Sequence, residues 1–143
     1  MDAKFLRLYF SKKYQERFNI NYISKSSTLD IVLFKALLAK YNEYIILEAI
    51  DNFLTVFPKD KASINYFATS KVFESLFKSL ILLGPIIKYR RHLKEYSQDI
   101  YPKVKSLLDE FTDYSLAMYP SSEEINRKSE IINELEVLSG KKS

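Results

Sequence analysis

The chain has 143 residues, 47% hydrophobic and 28% charged, which is typical of one folded globular domain and argues against a disordered segment. Cysteine is absent, which excludes disulfides, thiolate metal ligands and cysteine nucleophiles. Eleven tyrosines and ten phenylalanines accompany only two glycines and four prolines, a usage that favours long helices over a many-turned β fold.

The net charge of +4 is unevenly distributed. Counting Lys and Arg against Asp and Glu gives +3 over residues 1–30, −1 over 31–60, +6 over 61–94 and −4 over 95–143. A basic middle and an acidic tail are typical of a chain that contacts nucleic acid or another anionic partner, although lysine-rich helices also carry charge for solubility alone.

Neither a secretory signal nor a membrane span is predicted. The amino terminus, Met1-Asp2-Ala3-Lys4, is charged from the start. The longest apolar stretch runs from Leu80 past Gly84-Pro85 to Ile87, far short of the ~20 residues that a spanning helix needs. The sequence therefore predicts a cytoplasmic chain without membrane contact.

Three helices are predicted in the first 58 residues. An apolar stripe predicts the first helix, from about Ala3 to Phe18, and residues 19–26 are expected to form a loop. Ser27 and Asp30 resemble a capping box that opens a second helix to about Lys40. Asn42 is placed to cap a third helix, Glu43 to Phe57, which a proline ends. The residues expected to face inward are Leu6, Phe10, Tyr14, Phe18, Ile31, Phe34, Leu38, Tyr41, Ile46, Ile50, Phe53, Leu54 and Phe57.

The second half is predicted to contain the remaining helices. A charged loop, Lys59 to Asn65, precedes a fourth helix that Thr69 or Ser70 caps and that Gly84-Pro85 ends or kinks. A basic segment, Ile86 to Ser97, follows and is counted as the fifth helix. Pro102 suits the first turn of a sixth helix ending near Met118. Ser121 and Glu124 form a capping box for the last helix, which reaches about Ser139 and is closed by Gly140.

These elements predict an all-α fold, a compact bundle of six or seven helices in a single domain, 1–143. Residues 3–83 are expected to form the core and residues 85–143 the carboxy-terminal helices. The last helix is more polar, and we expect it to pack at the edge, against a partner or against a second copy of the chain.

No catalytic, metal or cofactor arrangement is recognisable. His92 is the only histidine and lies within a basic run, where neighbouring cations disfavour its protonated form. Asp109 and Asp113 share a helical face, as carboxylates on solvated helices commonly do. Two glycines cannot build a phosphate-binding loop. We therefore expect a non-enzymatic protein without a cofactor.

The basic run, whose cations are Lys88, Arg90, Arg91 and Lys94, is the most informative feature of the sequence. Arginine makes paired hydrogen bonds to phosphate, and Tyr89 and Tyr96, in the same segment, are of a type that stacks on unpaired bases. On a continuing helix, Lys88, Arg91 and Glu95 would share one face. Two lysines seven residues apart on the preceding helix would extend the positive surface. The predicted nucleic-acid contacts are Lys71, Lys78, Lys88, Arg90, Arg91 and Lys94.

Residues 5–77 resemble a helical module of bacteriophage and plasmid replication proteins, such as replisome organisers and helicase loaders. The matching segments are Phe10-x-x-x-Tyr14-x-x-Arg17-Phe18, Asp30-x-x-Leu33-Phe34-Lys35-x-Leu37-Leu38-x-Lys40-Tyr41, Ala49-Ile50-Asp51-x-Phe53-Leu54 and Ile64-x-Tyr66-Phe67-x-x-x-x-Val72-Phe73. The resemblance implies a small helical domain that associates with DNA or with a loader. No ATPase motif accompanies it, which favours an accessory role.

Two functions therefore remain open. One is a DNA-replication accessory factor, encoded by a phage or mobile element, that contacts DNA and a protein partner. The other is a helical protein-interaction factor without nucleic-acid binding, such as an inhibitor of a host complex or a virion assembly component. The residues expected to contact a protein partner are Tyr119, Ile125, Ile132 and Leu135. A ligand pocket among the aromatic residues is a third, weaker alternative.

Overall fold

The chain is all-α within the part that the structure describes, as the sequence predicts. The structure, a computed structural model, describes residues 1–140, the side chain of Ser70 excepted. Over this range nine α-helices and two single 3₁₀ turns (Lys59–Lys61 and Leu93–Glu95) are present, with no strand. The α-helices are α1 (Ala3–Phe18), α2 (Ser27–Leu38), α3 (Glu43–Val56), α4 (Ile64–Ala68), α5 (Ser70–Leu76), α6 (Lys78–Leu82), α7 (Gly84–Arg91), α8 (Tyr101–Leu116) and α9 (Ser122–Ser139).

The predicted count of six or seven helices is too low, for two reasons. First, α4 begins inside the segment predicted as a charged loop, where the Ser63 hydroxyl accepts a hydrogen bond from the Tyr66 N–H at 3.1 Å. Second, the predicted fourth helix is divided at Phe77, whose φ of −117° and ψ of 27° leave helical geometry. Because apolar residues continue at helical spacing through that point, without a glycine or proline, the sequence pattern does not reveal the break.

Side-chain caps also define the starts of α1, α2, α3 and α9. Asn42 accepts the Ile45 N–H at 3.0 Å, as predicted. Ser121 and Glu124 form the predicted capping box at the start of α9. The cap of α2 is Ser26, one residue before the predicted Ser27. Of the two candidates for the fourth helix, the Thr69 side chain makes no capping bond, and the side chain of Ser70 lies outside the described part.

Backbone contacts group the described residues into two compact units, Met1–Ile81 (unit 1) and Leu82 onward (unit 2). The division falls inside α6, close to the predicted limit of the core at residue 83. Whether the two units fold as one domain stays a prediction.

Unit 1 is built around phenylalanine rings. Phe10 on α1, Phe53 on α3 and Phe67 on α4 are fully or almost fully buried, and their ring centroids lie 5.1–6.2 Å apart. Phe73 and Phe77 contact Phe67 from the far side, at 5.5 and 5.6 Å. These contacts join α1, α3, α4 and α5, and α1 also packs on α2. Each buried phenylalanine contributes roughly 1.5–3 kcal/mol of burial free energy.

Asp30 on α2 is the one charged residue of the described part that is buried, with 4% exposure. The Ser24 hydroxyl donates a hydrogen bond to its carboxylate, and Arg7 Nε lies 3.7 Å from Oδ2. Ser24 also accepts the Ser26 N–H at 3.1 Å. Asp30 therefore holds the loop before α2 against α1 and α2.

We expect Asp30→Ala to lower the free energy of unfolding by about 1–3 kcal/mol, because Arg7 and Ser24 lose their buried partner. Urea denaturation measures this. Asp60→Ala is the matched control: Asp60 is exposed, and surface substitutions usually change stability by less than about 0.5 kcal/mol. Equal effects of the two substitutions would contradict the proposed role of Asp30.

Unit 2 is an α8–α9 hairpin against which α7 packs. The two long helices are antiparallel, since Glu110 pairs with Arg127 while Lys103 lies beside Leu138. Their facing apolar residues are buried: Val104, Leu107, Leu108, Phe111, Ile131, Leu135 and Leu138. Pro85 and Pro102 both lie in the first turn of a helix, where a missing N–H is tolerated.

Arg127 links the two helices of the hairpin. Its Nε donates to Glu110 Oε2 at 2.8 Å and its second terminal nitrogen to Oε1 at 3.2 Å, while the first terminal nitrogen reaches Glu134 at 2.9 Å. Tyr114 donates to the same Glu110 carboxylate at 2.9 Å. The hydrogen bond from Arg127 is the main cause that lowers the pKa of Glu110 below its usual 4.5.

The Arg127–Glu110 pair should stabilise unit 2 at neutral pH and lose its effect in acid. Because the folded-state pKa of Glu110 is lowered, its contribution is complete above about pH 4.5 and disappears as the pH falls through the lowered pKa. Thermal unfolding of wild type and Glu110→Gln should therefore differ at pH 7 and converge in acid. Glu123→Gln, an exposed carboxylate on α9, is the control; a difference between wild type and Glu110→Gln that persists at pH 2 would refute the assignment.

Candidate functional site

The basic run lies at the carboxy-terminal end of α7. That helix ends at Arg91, and Lys94 belongs to the following 3₁₀ turn, Leu93–Glu95. Lys88 and Glu95 therefore do not share a helical face, which corrects the prediction of a continuing helix. The cations therefore surround the carboxy-terminal end of α7.

Three of these cations are available to a ligand. Lys88, Arg90 and Lys94 are exposed, and among the described residues no carboxylate lies within 4.0 Å of their charged groups. Arg91 is half-buried and has contacts of its own. His92 contacts the Glu95 carboxylate through Nδ1. The positive charge that no carboxylate neutralises is thus carried by Lys88, Arg90 and Lys94.

Helix electrostatics give these cations a local role as well. The carboxy-terminal end of a helix carries a partial negative charge, which Lys or Arg in the last turn offsets by typically 0.3–1 kcal/mol. Lys88, Arg90 and Arg91 all stand in the last turn of α7. Their side chains, and not the helix terminus, are therefore the part that attracts an anion.

The two tyrosines of the run do not reach the surface. Tyr89 and Tyr96 are 6% and 4% exposed, so the prediction that they stack on unpaired bases is wrong. The Tyr89 hydroxyl instead donates a hydrogen bond to Glu136 on α9. Burial and this neighbouring carboxylate raise the pKa of Tyr89. Both rings belong to the interior of unit 2, and the sequence pattern did not show which face of the run is buried.

The remaining predicted DNA contacts lie in unit 1. Lys71 is exposed on α5 and Lys78 is exposed on α6. The break at Phe77 separates them, so they do not form one face of a single helix as predicted.

The predicted partner contacts divide between surface and core. Tyr119 and Ile125 are 89% and 54% exposed, whereas Ile132 is half-buried and Leu135 is fully buried between the hairpin helices. Leu135 is therefore part of the hydrophobic core and is not available to a partner at the surface. Two exposed residues that the sequence did not single out are Leu116 and Met118.

These exposed residues cluster at the turn of the hairpin. We name the tip as Leu116, Met118, Tyr119 and Ile125. Residues 106–126 around it contain five carboxylates and no Lys or Arg. Among the described residues, neither Asp113 nor Glu123 forms an ion pair within 4.0 Å. The tip is an apolar projection with an anionic rim.

Unit 2 is therefore cationic at one end and anionic at the other. The 3₁₀ turn that holds Lys94 packs on α8 and is separated from the first residue of that helix, Tyr101, by five residues. Tyr89 contacts Glu136 near the end of α9. The tip lies at the opposite end of α8, whose 16 residues span about 24 Å.

Unit 1 has a polar cleft of about 410 Å³ beside the loop before α2. Asp30 and Tyr22 line it, but both are engaged in the fold: Asp30 by Ser24 and Arg7, and Tyr22 by the Ile64 N–H, which its hydroxyl accepts at 2.9 Å. The cleft is thus a consequence of how the loop is anchored. Within residues 1–140, no three His, Asp or Glu side chains come together as a metal site, and no helix is long and apolar enough to cross a membrane.

Comparison of the chain with protein-family models, with curated proteins and with solved structures finds no match. The resemblance to replication modules therefore stays a prediction from the sequence.

Tyr89→Phe should test whether this tyrosine is structural. Loss of the hydrogen bond to Glu136 is expected to lower the free energy of unfolding by about 1 kcal/mol and to leave oligonucleotide affinity unchanged. Urea denaturation and fluorescence anisotropy measure the two quantities. Tyr119→Phe, at an exposed site, should change neither; an unchanged free energy of unfolding in Tyr89→Phe would contradict the structural role of its hydroxyl.

Proposed function

We propose that this chain is a non-enzymatic DNA-binding accessory protein that contacts the phosphate backbone through the cationic end of α7. The observation that carries the proposal is the presence of three exposed cations, Lys88, Arg90 and Lys94, within seven residues and without carboxylate partners in the described part of the chain. Arg91, half-buried beside them, is expected to add a weaker contribution.

The side chains at the cationic end of α7 favour contact with the DNA phosphate backbone over recognition of bases. Lysine and arginine bind phosphate, and such contacts position a protein on DNA without carrying sequence information. With Tyr89 and Tyr96 buried, the run exposes no tyrosine ring on which unpaired bases stack. The proposed binding is therefore independent of sequence and does not require single strands.

The biological setting rests on the resemblance of residues 5–77 to replication modules. In that setting the cationic end of unit 2 holds DNA while another surface engages a replication protein. Lys71 and Lys78 are part of the proposal as additional exposed cations of unit 1.

The second candidate is a protein-interaction factor without DNA contact. The exposure of the neighbouring Met118 and Tyr119, at 87% and 89%, favours it, since large apolar side chains that are exposed together mark interaction sites. The two candidates differ in whether the tip or the cationic end of α7 is needed for activity.

Binding to a DNA duplex should weaken steeply with salt. Three phosphate contacts predict a slope of about −2.7 in log affinity against log salt concentration. Lys88→Glu/Arg90→Glu should reduce that slope by about 2 and weaken binding equally for unrelated sequences. Fluorescence anisotropy over a series of salt concentrations measures both effects.

Lys4→Glu/Lys12→Glu makes the same change of charge on exposed α1 positions and is the matched control. It should keep most of the slope. If wild type shows no salt-dependent binding, or both double variants lose it equally, the assignment to α7 is wrong.

A further inference from the structure

The surface of unit 1 has an apolar groove that is not filled by any side chain of the described residues. The groove has a volume of about 340 Å³ and lies where the end of α3 meets α5 and α6. Phe53 and Phe77 are buried beneath it, while Val56 and Leu76 remain 72% and 43% exposed along it. Its full lining is Asn52, Phe53, Val56, Phe57, Leu76, Phe77, Ser79 and Leu80.

The tip of unit 2 is an apolar projection, complementary in kind to this groove. Met118 and Tyr119 project from a four-residue connection bounded by the end of α8 at Leu116 and by the Ser121 capping box. The Arg127–Glu110 pair joins the two helices about two turns below. Because both ends are fixed, the backbone of the connection is held in place, and little backbone entropy is lost when the tip binds.

Charge also matches between the two surfaces. The groove lining contains no carboxylate, and Lys78 is exposed next to Phe77 at its edge. Around the tip, Asp113 and Glu123 are exposed and without ion pairs in the described part of the chain. An anionic projection of this kind is repelled by DNA and by anionic membranes, but fits an apolar groove with lysine at its edge.

We propose that the tip of one copy docks into the unit 1 groove of a second copy, with Tyr119 and Met118 as the inserted side chains. Asp113 and Glu123 then face Lys78 of the second copy. The proposal does not depend on DNA binding at α7, because neither surface uses Lys88, Arg90 or Lys94; only Lys78 is also a proposed DNA contact.

A contact between two different surfaces has a definite consequence for assembly. Each copy keeps one unused tip or groove after the first contact, so association continues until a ring closes or a chain grows. Few side chains take part, which places the contact in the weak class of interfaces. Association should therefore appear from micromolar to near-millimolar concentration and weaken at high salt.

Sedimentation velocity and light scattering of the full chain, without DNA, test the proposal. Wild type should increase in mean mass with concentration. Met118→Ser/Tyr119→Ser, which disables the tip, and Val56→Asp, which places a carboxylate in the groove, should each remain monomeric over the same range. Val137→Ser, at an apolar position that is 68% exposed elsewhere on α9, should associate like wild type.

Mixing the two disabled variants is the decisive step. The tip variant retains a groove and the groove variant retains a tip, so an equimolar mixture should form a dimer and stop there. Circular dichroism and thermal unfolding establish that each variant is folded.

A wild type that stays monomeric throughout overturns the proposal. So does association that survives in either disabled variant. If both variants are monomeric and their mixture fails to dimerise, the intact tip and the intact groove do not bind one another, and the docking of tip into groove is wrong.

Discussion

Packing of phenylalanine rings against one another is the interaction on which unit 1 depends. Phe67, on a helix of only five residues, touches rings from α1, α2, α3 and α5. A helix that short is not stable by itself in water, since helix nucleation is costly. Its place is therefore fixed by tertiary contacts, and the same demand accounts for Phe77 staying buried where helical geometry stops.

Unit 2 depends on two features: a narrow buried apolar contact between α8 and α9, and an uneven distribution of charge. Ile131, Leu135 and Leu138 bury one side of α9, and Arg127 neutralises carboxylates on both helices. What remains is positive charge at the end of α7 and negative charge around the hairpin turn. Like charges at one end repel, which opposes stability, and surfaces of this kind attract ligands of opposite charge.

This separation gives the two proposals their independence. Phosphate binding uses side chains that project from the end of α7, whereas the contact between copies uses an apolar projection and a groove. An anionic tip keeps DNA away from the assembling surface. In the two proposals, Lys78 is the one residue assigned both to DNA and to the second copy, so competition between the two is expected there alone.

Much of the fold was determined by the sequence because its signals are local. Stripes of apolar residues, the caps at Asn42 and Ser121, and the prolines at 58 and 102 located α1, α3, α8 and α9 to within one or two residues. These signals act through hydrogen bonds and side-chain spacing within a few residues, so they are legible without knowledge of the fold.

The candidate sites were less accessible to the same approach. The basic run was visible, but the tertiary structure alone decided that α7 ends at Arg91, that Tyr89 and Tyr96 turn inward and that Leu135 is core while Met118 is exposed. Which side of a helix faces the interior depends on the helices packed against it, in this case α8 and α9 against α7. Composition and charge fixed what kind of surface the chain displays, and packing chose which of its residues display it.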